Sequence, residues 1–229
     1  MFALPDTPTP RRGFLARLAA GAAALGLGGF TVPRAAAEPR RAPAGGTDPG
    51  FEAWLDRITG RHKMVYDVPR PNGGFAFAWA RVFLNTTNET YGTTDADNTV
   101  VIVLRHAGIP YAVDSALWAK YMLGDWAKIT DPATHAPAVR HPLVRLKPGD
   151  APIPGMGADE LLAQGVLIGV CNVALTFLSR ELAPKLGTQA ETIKQDLVAH
   201  LLPGVQVVPS GVIAVNRAQE KGCAYCFAG

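Results

Sequence analysis

Residues Thr99-Val100-Val101-Ile102-Val103-Leu104 form an unbroken run of apolar and β-branched side chains. Such a run has no polar face to turn to water, so it fits a strand buried on both sides. A strand of that kind belongs to a sheet with helices packed on each face. Val166–Val170 (VLIGV) repeats the pattern, and His62–Val68 (HKMVYDV, ending at Pro69), Val205–Val208 and Cys223–Phe227 supply further candidates. Between them lie helical patterns. These are a short amphipathic stretch over Phe51–Ile58, a run from Gly73-Gly74 through Ala80 and Phe83 to about Glu89, and segments over Asn172–Leu182, Gln189–Leu202 and Ser210–Lys221. Asp114–Trp126 reads as one more helix, with Leu117, Tyr121 and Met122 on one stripe and Trp118 beside it. Strands alternating with helices predict an α/β fold: three layers, α/β/α, around a mostly parallel sheet of about five strands.

One segment does not fit the alternation. Lys128–Gly157 carries Pro132, Pro137, Pro142, Pro148, Pro152 and Pro154. A stretch that long without regular structure is usually functional, as a lid, a binding arm or an oligomerisation arm. A passive surface insertion is the alternative, because loops tolerate length cheaply.

The beginning of the chain has a separate logic. Residues 1–37 run from a polar start with Arg11 and Arg12, through an Ala/Gly/Leu stretch, to Ala35-Ala36-Ala37. That is the layout of a secretory signal cleaved after Ala37. Arg11-Arg12-Gly13-Phe14-Leu15 matches the twin-arginine pattern, with Pro10 where Ser or Thr is usual. The expectation is export by the twin-arginine translocase to the periplasm or beyond, with no stable membrane insertion after cleavage. Residues 38–50, rich in Pro, Gly and charge, read as a flexible leader, and 51–229 as the domain.

Removing the signal changes the charge balance. It holds four of the 22 basic residues and one of the 19 acidic ones, which leaves 18 of each. The remaining chain is neutral and lacks the basic footprint of a nucleic-acid binder. Three cysteines are too few for a disulfide framework. The residues specify no cofactor.

Leu201-Leu202-Pro203-Gly204-Val205-Gln206-Val207-Val208-Pro209-Ser210-Gly211-Val212, continuing to Ala218-Gln219-Glu220-Lys221-Gly222-Cys223-Ala224-Tyr225, resembles the C-terminal block of DsrE-like proteins. Gly165–Asn172 is similar to their middle strand, which leads into a Cys. Arg105-His106-Ala107-Gly108-Ile109-Pro110-Tyr111 and Trp118-Ala119-Lys120-Tyr121 resemble an exported branch of that family. The resemblance spans roughly residues 60–229. It implies the three-layer fold, homo-oligomers, and, through Cys171, acceptance of persulfide sulfur.

In an open parallel sheet, ligands bind beyond the carboxyl ends of the strands. Arg105 and His106, Cys171 and Asn172, and Ser210 all fall there. A thiol between a strand end and a helix N-terminus feels the positive end of the helix, which favours the nucleophilic thiolate. The alternative for Cys171 is a small buried hydrophobe. Cys223-Ala224-Tyr225-Cys226 has the CxxC spacing of redox and metal sites, but it sits in a strand and lacks two further ligands. Three readings stay open. The foremost is a non-catalytic oligomeric binding or accessory module that uses the Pro-rich arm. Next comes a sulfur-handling protein built on Cys171, with Arg105 and His106 as electrostatic partners. The third is a redox or metal protein built on Cys223 and Cys226.

Overall fold

The structure, a computed structural model, describes residues 48–229. The expected signal peptide and most of the expected leader, including the Arg11-Arg12 pair, lie outside the described residues. The leader expectation also overran: Asp48 caps the first helix, α1 (Pro49–Asp56), its carboxylate accepting from Gly50 and Phe51 N–H at 3.0 and 3.2 Å. Pro49 fits the first turn because its missing N–H has no partner to lose there.

Five strands form one sheet in the order β4-β3-β2-β1-β5, all parallel. They are β1 (His62–Val68), β2 (Asn98–Leu104), β3 (Leu167–Cys171), β4 (Gln206–Val208) and β5 (Ala224–Phe227). The apolar run of β2 is explained by its central position. Val100, Ile102 and Leu104 enter the core on one face, and Val101 and Val103 enter the core on the other. Each such side chain contributes roughly 1.5–3 kcal/mol on burial.

On the first face, α2 (Phe75–Tyr91) packs against β1 and β2, with Phe77, Ala80 and Leu84 inward. The larger part of this layer comes from a 3-10 turn (His106–Ala112), α3 (Ala116–Lys120), α4 (Leu123–Ala127), α5 (Ala158–Ala163), α6 (Asn172–Leu186) and α7 (Ala190–Ala199). On the second face, α1 and α8 (Gly211–Glu220) cover Val65, Val101, Val103 and Leu167. Trp54 of α1 lies against Gly169, where a Cβ would come within 3.1 Å of its ring.

Asp114–Trp126 is not a single helix. Met122 takes a left-handed backbone, φ 50°, and separates α3 from α4. The stripe changes with it: Leu117, Trp118 and Tyr121 are buried, whereas Met122 is 47% exposed. The cause is tertiary. The break brings Gly124 against the main chain of Ala138, so closely that a Cβ at position 124 would overlap it.

Between α4 and α5 the Pro-rich segment forms neither a helix nor a ladder strand, only an isolated bridge between Thr130 and Pro137. It is nonetheless packed, with Ile129, Ala138, His141, Leu143 and Met156 buried in the first core. His141 is the polar pin of this segment. Leu143 N–H donates to its Nδ1 at 3.0 Å, which places the ring proton on Nε2, and Nε2 donates to Tyr111 O at 3.0 Å. Burial lowers its pKa to about 4, so the ring is neutral. Among the described residues no helix is long and apolar enough to cross a membrane.

Candidate functional site

The registers Val68↔Leu104, Leu104↔Val170 and Cys171↔Val208 bring the carboxyl ends of four strands to one rim. Chain segments leaving these strands carry the sequence-predicted residues, each with a distinct local role.

Cys171 is the last residue of β3 and the cap of α6. Its Sγ accepts the N–H of Ala174 at 3.3 Å, the position a Ser or Asp side chain takes at other helix starts. The residue is only 6% exposed. Cys171 nevertheless lines a cavity of about 290 Å³, together with His106, Ala107, Trp126, Val173, Ala174 and Phe177. These residues are apolar apart from Cys171 and His106. Val173 and Phe177, one helical turn apart on α6, project outward, with Phe177 64% exposed. Trp126 is held over α6 by its indole N–H, which donates to Glu181 Oε2 at 2.9 Å. That hydrogen bond, together with one from Lys185, holds the Glu181 carboxyl below its usual pKa.

Arg105 is engaged by a carboxylate. Its Nε and Nη2 donate to the two carboxylate oxygens of Asp67 at 2.6 and 2.8 Å, and Tyr225 OH donates to Oδ2 at 3.0 Å. Asp67 is buried in β1, and these charge-assisted bonds compensate its loss of water. In return, hydrogen bonding from Asp67 raises the Arg105 pKa further above its already high value, against the opposing effect of burial. Arg105 is thus first an ion-pair member, held by Asp67, and its Coulombic coupling to Cys171 is the smallest of the influences on its pKa. Its remaining approach is Nη1 to His106 Nδ1, at 3.5 Å. His106 itself has φ 47°, a left-handed backbone that turns the chain from β2 into the 3-10 segment.

Ser210 serves its own helix, Oγ accepting Ile213 N–H at 3.3 Å. The next residue, Gly211, packs on the Arg105 stem, where a Cβ would fall 2.8 Å from Arg105 Cβ and Cδ. Asn172 opens α6, its carbonyl accepting Thr176 Oγ1 at 2.9 Å, and lies beside the cavity wall. Of the expected set, the structure therefore gathers Cys171 and His106 into one pocket. It leaves Arg105 and Ser210 on the same rim with other duties.

Cys223 and Cys226 are held apart by the sheet. Cys223 packs into the core beneath α1 and α8, and Cys226 packs against the core on the opposite face. Both thiols are free, and burial pushes that of Cys223 up to about 11. Among the described residues no three His, Cys, Asp or Glu side chains converge as metal ligands do.

Asp67, Tyr225, Trp126 and Phe177 complete the rim and were not among the site residues expected from the sequence, where Trp126 reads as core or interface. Asp67 had a signal: an acid inside the apolar strand HKMVYDV, beside a strand that ends in Arg105, calls for a cation. A second hollow, about 410 Å³, lies within the Pro-rich segment between Leu146 and Glu160. It is built from loop residues and α5, away from the strand ends.

No family model matches this chain, and no curated protein matches it. Among solved structures, a protein of unknown function from Methanobacterium thermoautotrophicum is similar. It is 17% identical, over 73% of this chain and 99% of that one, at a TM-score of 0.38.

Proposed function

We propose that this chain is an exported, non-catalytic binding or accessory module that works as a homo-oligomer outside the cytoplasm and resembles the DsrE family. Its ligand is a small, largely apolar molecule held in the pocket over Cys171. The observation that carries this reading is the pocket itself: an apolar cavity at the carboxyl ends of parallel strands, the usual ligand position in such sheets. The nearby charges support it, because Arg105 is neutralised by Asp67 and the sulfur is hydrogen-bonded to a helix N–H instead of a base. The Pro-rich segment contributes as packed support behind the rim. An environment-sensitive apolar dye is expected to bind the purified chain in a saturable one-to-one manner. Phe177→Asp should weaken that binding at least tenfold while leaving the melting temperature unchanged, because the side chain is mostly exposed. Dye binding that Phe177→Asp does not alter would remove this reading.

The second reading, Cys171 as a sulfur acceptor, is favoured by one specific fact: Cys171 is among the residues that line the pocket. Incubation with a persulfide donor should then add one sulfur atom to Cys171 and none to Cys223. An unmodified Cys171 would end it.

A further inference from the structure

The two edges of the sheet are finished differently. At one, β4 is three residues long, lies against α1 and is followed by Pro209, features that blunt an edge. At the other, β5 is bordered by β1 alone. Ala228 N–H donates to Asp67 O at 2.8 Å. Main-chain groups alternate in direction along a strand, so those of Cys226 face β1 and those of Tyr225 and Phe227 face outward. No residue of Ala224–Phe227 is charged or a proline, and Tyr225 and Phe227 are 45% and 52% exposed. This edge lacks the guards that natural sheets place on theirs.

The donor pattern fits a second copy of the chain. Two identical strands related by a twofold axis meet antiparallel. An axis through Cys226 sets Tyr225 opposite the partner's Phe227, twice, so both outward residues are satisfied within the strand and the aromatic rings pair across it. Cys226 then faces the partner's Cys226 in a non-hydrogen-bonded pair, with Cα atoms about 4.5 Å apart, inside the range of about 4.4–6.8 Å that a disulfide spans. Cys226 is free and partly exposed, and its one hydrogen bond is a 3.7 Å contact to Phe227 O.

We infer that two copies join antiparallel through the outer edges of β5 into one continuous sheet, and that a Cys226–Cys226 disulfide locks the dimer in oxidising surroundings. Closing the bond takes two protons and two electrons from the two thiols. A low-molecular-weight or protein disulfide accepts them by exchange and leaves as two thiols. The lock is needed because the bare contact is small. On the Cys226 face, Tyr66, its register partner, donates its hydroxyl to Trp79 O at 3.1 Å, which brings exposed Phe75 and Trp79 of α2 beside the strand. Phe75, Tyr225 and Phe227 are each about half exposed and Trp79 is 36% exposed. At ~150–250 Å² per aromatic ring they offer roughly 400 Å² per protomer, short of a standard interface of about 800 Å² per partner.

The interface gives the homo-oligomer reading above its surface, and the test separates the two. The purified full-length chain is incubated with oxidised glutathione and examined by non-reducing electrophoresis and by light scattering with and without reductant. A covalent dimer is expected that Cys226→Ser abolishes and that Cys171→Ser and Cys223→Ser retain. Phe227→Pro removes one outward N–H while sparing the ladder to β1, and should slow cross-linking at least tenfold with Cys226 still present. Cross-linking at the wild-type rate in Phe227→Pro would reduce the disulfide to chance collision and overturn the inference. So would an oligomer that persists in both Cys226→Ser and Phe227→Pro, although that result would keep the homo-oligomer reading. A chain that is monomeric throughout would remove both.

Discussion

His141 shows how far a single side chain can set the behaviour of the fold. It is buried, packed at a tilt against both Tyr111 and Trp118, and bonded through both ring nitrogens to main chain. Nε2 already carries its proton, Nδ1 cannot take one without losing the bond from Leu143 N–H, and burial holds the pKa near 4 against 6.5 for a free imidazole. The unfolded chain therefore binds a proton in that window and the folded chain does not. Stability from this group is fully present above about pH 6.5 and drains away as the pH falls toward 4, a loss on the order of 3 kcal/mol. The depressed carboxyl of Asp95, held down first by its hydrogen bond to Arg81, acts lower, below the ordinary carboxylate pKa. Urea unfolding between pH 7 and 4 should show the decline, and His141→Phe should flatten it in that window. An equal slope in both proteins would contradict the assignment. The ring's role was invisible in the sequence, where His141 stands among prolines in a segment with no periodicity. The same holds for Arg105: its position at a strand end could be read, but its engagement with Asp67 depends on β1 and β2 lying side by side.

Among the elements, legibility followed the strength of the local pattern. Strand β1 falls where HKMVYDV and Pro69 place it, and β2 follows its unbroken apolar run, since burial on both faces leaves a mark that neighbours cannot erase. The segment over residues 114–126 behaved otherwise. Nothing in ALWAKYMLGDW demands a break, and the break at Met122 arises because the Pro-rich segment requires the chain to pass Gly124 at main-chain distance. That predicts a selective cost: Gly124→Ala should destabilise the protein by about 2–3 kcal/mol, as forced overpacking does, and the loss should appear in chemical denaturation. Gly50→Ala is the control: like Gly124 it is a helical glycine without a left-handed φ, and its added Cβ would meet its nearest atoms only at 3.4 and 3.6 Å, so the difference between the two variants isolates the packing part at position 124.

For the molecule as a whole, a parallel sheet with helices on both faces concentrates strand ends, helix starts and connecting turns at one rim. Sequence reasoning reached that rim through Cys171, His106 and Ser210. It did not reach the pocket, because Trp126 and Phe177 come from helices whose facing depends on how α4 settles against α6. A ligand site at this rim requires the sulfur of Cys171 to open into that pocket, and the molecule supplies its own control. Cys171 and Cys223 are equally shielded, each 6% exposed, yet Cys171 borders a cavity while Cys223 is packed in the core. Site-resolved mass spectrometry after brief treatment with iodoacetamide at neutral pH compares them directly. Cys171 should be alkylated at least tenfold faster than Cys223, and an apolar pocket ligand should slow only Cys171. Equal, slow labelling at both positions, at the rate of global unfolding, would mean that the sulfur is sealed in the core and the rim holds no ligand site.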